Sequence, residues 1–153
     1  MKRSCRAEKE LLLKTLEFRP FLIKPNHHEL GDLFGEKAET KEDVIPLAER
    51  LRQRGAGNVL VSMAGEGAVF ISENGDVITG AAPEGKVVNS VGAGDSMVAG
   101  FLTGYIESGG DYEKAFRMGL CAGSASAFSP ELASREETEA LLRQTLYTNP
   151  GCT

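Results

Sequence analysis

The 153-residue chain has no block of basic residues, no long apolar run, no closely spaced cysteines and no internal repeat. Each absence removes a class of function. Its 17 lysines and arginines are dispersed and face 22 aspartates and glutamates, a formal charge of −5, which argues against a nucleic-acid partner. Phosphate ligands stay open, because backbone amides bind them without cationic side chains. No apolar stretch is long enough to cross a bilayer, so no membrane partner is expected. The first ten residues, MKRSCRAEKE, lack the apolar centre of a signal peptide, and a cytoplasmic location fits best. Cys5, Cys121 and Cys152 are odd in number and far apart, which argues against a disulfide framework and a cysteine-type zinc site. Cys121, among small apolar residues, reads as core.

What remains is an ordinary globular composition, 41% hydrophobic and 25% charged, at a length typical of one domain. Residues 1–10 show little pattern, and Leu11, Leu12, Leu13 and Leu16 suit a short amphipathic helix. The apolar run Phe21–Ile23 reads as a buried strand. Asn26 with Glu29 is a capping-box pair, opening a short helix that should stop near Gly35. Thr40 with Asp43 is another, and Val44, Leu47, Ala48 and Leu51 give the following helix one apolar face as far as Gly55. Pro46 inside it predicts a kink. NVLVSM is strand-like, and AVFIS and VITGA flank Asn74-Gly75 as a hairpin. KVVN, Lys86–Asn89, predicts one more strand. Three helices follow: one from Gly92, with Ser96, Gly100 and Gly104 forming a smooth face for close packing; one capped by Asp111; and one opened by Ser134 and Glu137. Residues 147–153 read as a frayed tail. The order of elements predicts an α/β layered fold.

Several motifs fail on inspection. GAAPEGKV nearly matches a P-loop, but Val87 replaces the hydroxyl residue and a strand-like run replaces the required helix. Gly92-Ala93-Gly94 lacks the third glycine of a dinucleotide fingerprint, since Met97 stands there. His27 and His28 are adjacent; their side chains are expected to diverge, without metal-ligand spacing.

VGAGDSM is different. Gly92 and Gly94 allow unusual backbone angles, and free amides at a helix start hold anions. Asp95 beside such a nest has two readings. It caps the helix, or it takes a proton from a hydroxyl that attacks a bound phosphoryl group.

NSVGAGDSMVAGF closely resembles the C-terminal signature of the ribokinase-like (phosphofructokinase B type) carbohydrate kinases. KPNHHEL resembles that family's Asn-x-x-Glu motif, VLVSMAGEGAVFI its nucleotide turn, and GLCAGSASAFSPELAS its adenine-pocket helix, in the family's order. The resemblance runs from about Leu11 to Gln144, and the segment over 11–146 is expected to be the nucleotide-binding half of the kinase domain. The wording is most similar to members that convert fructose 1-phosphate to fructose 1,6-bisphosphate, with tagatose-6-phosphate kinases next. The resemblance implies ATP and Mg²⁺ as cofactors and a nucleotide and a sugar phosphate as partners. It makes Asp95 the base, and Gly92, Ala93, Gly94 and the Asp95 amide an anion hole. Asn26 and Glu29 would organise Mg²⁺, through water; the capping-box reading of that pair stands beside this one. Ser62, Ala64, Gly65, Glu66 and Gly67 would hold the nucleotide phosphates and ribose. Leu120, Gly123 and Ala127 would flank adenine.

Three departures accompany the resemblance. Ala64 occupies the family's first turn glycine. Asn89 replaces the aspartate of many relatives near a monovalent-cation site, which counts against potassium activation. The family's longer chains also carry a sugar-binding Gly-Gly motif, a β-sheet lid and the first strands of the sheet. The expectation is therefore a C-terminal half of the ribokinase-like Rossmann-type fold without its lid. Such a half would be weak or inactive alone, a non-catalytic nucleotide- or anion-binding remnant, or the homodimeric or complementing partner of a missing N-terminal half. A bisected parallel sheet would leave an edge strand open.

Overall fold

Capping chemistry sets the first helices of the computed structural model, which describes residues 2–148. Helix α1 spans Lys2–Leu16 and α2 spans His27–Phe34. Asn26 Oδ1 accepts from the Glu29 amide at 2.8 Å and the Glu29 carboxylate accepts from the Asn26 amide at 3.3 Å, a full capping box. Gly35 ends α2 in the left-handed conformation, φ 64°, which glycine adopts without strain. Helix α3, Lys41–Gln53, opens on the Thr40–Asp43 box. It runs unbroken through Pro46, which is exposed, so water can satisfy the carbonyl one turn back.

Leu30, Leu33, Val44, Leu47, Ala48 and Leu51 point from α2 and α3 into one apolar cluster with Val59, Val61, Val69 and Ile71. Those four belong to strands β2, Asn58–Ser62, and β3, Ala68–Ile71. Strand β1, Leu22–Ile23, pairs parallel with β2; β2 pairs antiparallel with β3, Val59 opposite Ile71; β4, Val77–Gly80, completes the order β1-β2-β3-β4. The sheet is therefore mixed, with helices packed on it, as the expected α/β layered fold allows. Leu60 and Phe70 alternate with the helix-facing residues and are buried too, which explains why both strands read as continuous apolar runs. Burying each large side chain is worth roughly 1.5–3 kcal/mol.

Buried Asn58 ties two backbone segments together beside this core. Its Nδ2 donates to the Phe21 carbonyl and its Oδ1 accepts from the Glu73 amide, both at 2.9 Å. The β3–β4 connection is wider than a two-residue turn. Ser72 organises it, accepting from Asn74 and Asp76 through its hydroxyl, and Gly75 supplies φ 86°.

The chain divides into two compact units where length points to one: residues 1–64 with 68–79, and 65–67 with 80–153. The second unit is helical. Helix α4 spans Ala93–Glu107, α5 Tyr112–Ala127 and α6 Arg135–Thr148. The smooth face foreseen on α4 packs on α5. A Cβ on Gly100 would lie 2.6 Å from Ala122 Cβ, and one on Gly104 3.0 Å from Ala115 Cα. Gly119 and Gly123 return the fit, against Phe101 and Met97. Cys121 is buried, and burial pushes its thiol above the ordinary cysteine value.

Three expectations change. Residues 2–10 are helical, extending α1 well beyond the leucines. Lys86–Asn89 is not a strand: the Val88 and Asn89 amides both donate to the Ala127 carbonyl at the end of α5, at 2.8 and 3.1 Å, so a helix end replaces a sheet neighbour. The tail expected over 147–153 is helical to Thr148, and the rest lies outside the described residues.

Gly100→Val should lower stability by roughly 1–3 kcal/mol through overpacking, whereas Gly65→Ala, with nothing within 4 Å of the added carbon, should be near neutral. Urea unfolding midpoints decide it. A pH test addresses α3. The Thr40 and Glu39 amides hold the Asp43 carboxyl below its ordinary value, so its folded pKa is depressed. Its contribution is complete above the unfolded value, about 3.9, and is lost as pH falls through the folded one. Asp43→Asn should flatten the acid limb of the stability profile between those values.

Candidate active site

Asn26 and Ser62 follow directly from the sheet. They form a parallel bridge at the carboxyl ends of β1 and β2, the place where open α/β sheets bind ligands. Ser62 donates its amide to the Pro25 carbonyl, and its own carbonyl lies 3.3 Å from His27 Nδ1. The Glu29 carboxylate is exposed beside them and also accepts from Asn26 Nδ2 at 2.9 Å. A groove of about 420 Å³ runs along Asn26 and Glu29, lined also by Lys9, Lys24, His28 and Asp32. The two lysines are site-facing cations that the sequence reading missed; Lys24 was detectable as the residue preceding Pro25-Asn26. The histidine rings do not diverge as expected. Their centroids are 3.9 Å apart, because side chains at a helix start swing free of the preceding turn.

Among the described residues no three histidine, cysteine or acidic side chains converge as a metal cage. Glu29 with Asn26 is nevertheless a hard-oxygen pair open to solvent. It suits a divalent ion that keeps most of its waters, and not one held directly by protein.

After Met63 the chain makes a tight 3₁₀ turn, Ala64–Glu66. Ala64 takes φ 47°, left-handed backbone that costs a non-glycine residue about 1–3 kcal/mol. Gly67 has φ 95°, and a Cβ there would strike the Gly80 carbonyl. Gly80 in turn abuts Phe116 and Leu120. Gly67, Gly80 and Leu120 are therefore brought together. Ala127 joins this side of α5 through its carbonyl bonds to Val88 and Asn89. Gly123 does not: it is buried under the first turn of α4, its Cα facing the Ala93 carbonyl and Met97.

The Asn89–Asp95 turn settles the position of Asp95. The N-cap of α4 is Gly92, φ 81°, with no side-chain cap bond. Asp95 is the third helical residue and is exposed, and no hydrogen bond or ion pair engages its carboxylate among the described residues. The Ala93 amide turns inward to the Ser90 carbonyl at 3.2 Å, and the Ser96 amide to Gly92 at 3.0 Å. The amides of Gly94 and Asp95 have no acceptor among the described residues. A carboxylate at that position interacts favourably with the helix dipole, about 0.3–1 kcal/mol, but it makes no cap. The turn offers two amides without an acceptor among the described residues, beside an unengaged carboxylate.

Known proteins resemble this chain over most of its length. Over 139 residues the chain is 50% identical to 1-phosphofructokinase of Bacillus subtilis (strain 168), covering 91% of this chain and 45% of that one. It is 36% identical over 140 residues to D-tagatose-1-phosphate kinase of Bacillus licheniformis, again 91% and 45%. The crystal structure of Escherichia coli phosphofructokinase-2 in complex with substrates and products superposes with a TM-score of 0.79 at 29% identity, over 89% of this chain and 45% of that one. Arabidopsis thaliana ribokinase complexed with ribose and ATP gives 0.70 at 25%, over 80% and 41%. The fold is a ribokinase-like α/β fold in part, and the chain spans about 45% of the length of the curated relatives it matches. Residues 4–139 match the pfkB family carbohydrate kinase model, and the chain belongs to that family. Among the described residues no helix is long and apolar enough to cross a membrane.

Asn26→Ala removes the cap acceptor and a partner of Glu29. It should cost about 1 kcal/mol of stability in thermal or urea unfolding, while Asn26→Ser, which keeps the cap, should recover most of it.

Proposed function

We propose that this chain is the nucleotide-binding part of an ATP-dependent sugar-phosphate kinase that converts fructose 1-phosphate to fructose 1,6-bisphosphate. The observation that carries the reading is Asp95: exposed and unengaged, beside two amides without an acceptor among the described residues, on a helix whose N-cap is Gly92. Similarity to 1-phosphofructokinase at 50% identity supports the acceptor, and similarity to D-tagatose-1-phosphate kinase makes D-tagatose 1-phosphate the competing one.

In the proposed reaction the acceptor hydroxyl attacks the γ-phosphorus in line and Asp95 takes its proton. The bond to the bridging oxygen breaks and ADP leaves. The amides of Gly94 and Asp95 stabilise charge on the transferring group, with Gly92 providing the turn and Ala93 the room for close approach. Residues Ser62, Ala64, Gly65, Glu66 and Gly67 are assigned to the nucleotide phosphates and ribose. Leu120 and Ala127 are assigned to the adenine, with Gly123 supporting them by letting α4 approach α5. Asn26 and Glu29 are assigned to Mg²⁺ through water; the ion, when bound, offsets charge on the β- and γ-phosphates. A cytoplasmic location belongs to the same proposal.

The sugar contacts are proposed to come from outside this chain, supplied by a complementary half or a second copy, because the chain spans under half of its relatives. Turnover by the chain alone is then weak. Calorimetry with ATP and a phosphoryl-transfer assay with both ketose 1-phosphates test the proposal. ATP should bind, any turnover should favour fructose 1-phosphate, and Asp95→Asn should lower turnover by about 10²–10⁴ while leaving ATP affinity within roughly threefold. Failure to bind ATP, or full turnover in the variant, would overturn it.

A further inference from the structure

The segment between α5 and α6 grips the turn ahead of α4 at three points. Asn89 Nδ2 donates to the Pro130 carbonyl at 3.2 Å while its Oδ1 accepts from the Val91 amide at 3.0 Å. Leu132 lies over Gly92, so that a Cβ there would come within 2.7 Å of its Cδ2. The Ala133 amide donates to Ser126 Oγ at 3.0 Å, and that hydroxyl donates to Ser96 Oγ, the neighbour of Asp95, at 2.8 Å. Of the three grips, only Asn89 belongs to the turn's own entry and reaches across to the other segment through its side chain.

We infer that Asn89 is a positioning residue: its side-chain amide bridges Val91 and Pro130 and so aims the Gly94 and Asp95 amides at the phosphate-bearing end of a nucleotide. This rests on the reading of the turn as a phosphate site. In this chain the bond to Pro130 takes a donor and the bond from Val91 an acceptor, both on one short side chain. Aspartate keeps the acceptor for Val91 but sets a carboxylate oxygen against the Pro130 carbonyl, two acceptors face to face. Alanine keeps neither bond. The main-chain bonds from Val88 and Asn89 to Ala127 fix where the turn begins, but they lie before Ser90 and cannot hold its far side. Asn89 ties the turn to Pro130, alongside the Leu132 contact at Gly92 and the Ser126–Ser96 bond.

The test uses the full 153-residue chain as wild type, Asn89→Asp and Asn89→Ala. Amide hydrogen exchange over residues 90–96 is compared with exchange over 41–62, and affinities for ATP and for adenosine are measured by calorimetry. Both variants should exchange about tenfold faster over 90–96 with no change over 41–62, and should bind ATP about tenfold more weakly with adenosine affinity unchanged. Unchanged exchange over 90–96 overturns the inference. So does a uniform rise across the chain, which would make Asn89 a general stability residue. Faster local exchange with unchanged ATP affinity overturns its link to the phosphates. Failure of the wild type to bind ATP overturns the kinase reading instead, and exchange over 90–96 still decides whether Asn89 holds the turn.

Discussion

The close approach of α4 to α5 is the constraint on which the second unit depends. Two helices normally pack with axes about 8–10 Å apart, and side chains fill the space between them. Here glycines on both helices remove those side chains, and the backbones meet through Gly100, Gly104, Gly119 and Gly123. Glycine inside a helix costs up to about 1 kcal/mol per site, so four of them are retained only because the contact returns more. The contact fixes the axis of α4, and with it the direction in which the Gly92–Asp95 turn faces.

The first unit is built on a different balance. Its core is apolar and conventional, and its polar precision sits at helix starts. Asn26, Thr40 and Ser72 each satisfy amides that secondary structure leaves over. Asn26 therefore carries two burdens. It begins α2, and it stands at the carboxyl end of the sheet next to Ser62, where a ligand would be met by backbone and side chain together.

Much of this could be read from residues alone, because the signals were local. Capping boxes at Asn26, Thr40 and Ser134 need only three-residue spacing, and the glycine face of α4 needs only a helical period. What stayed hidden depended on partners distant in sequence. Lys86–Asn89 has the composition of a strand, yet its amides find Ala127 some forty positions on, and no local pattern announces that. The antiparallel pairing of β2 with β3 is hidden for the same reason, since strand direction is settled by neighbours. The site divides along the same line. Asp95 and its glycines were visible as a motif, but whether the carboxylate capped its own helix was a question of geometry. The placement of Gly123 under α4 and the bond from Asn89 to Pro130 were equally geometric.

Ala64 holds a backbone shape that its own side chain does not favour. Its left-handed φ of 47° is imposed by what precedes and follows it, not by its own preference. Substitution there is filtered by torsion angle more than by volume or polarity. Glycine, asparagine and aspartate can occupy the position freely, alanine with strain, and valine, isoleucine or threonine hardly at all.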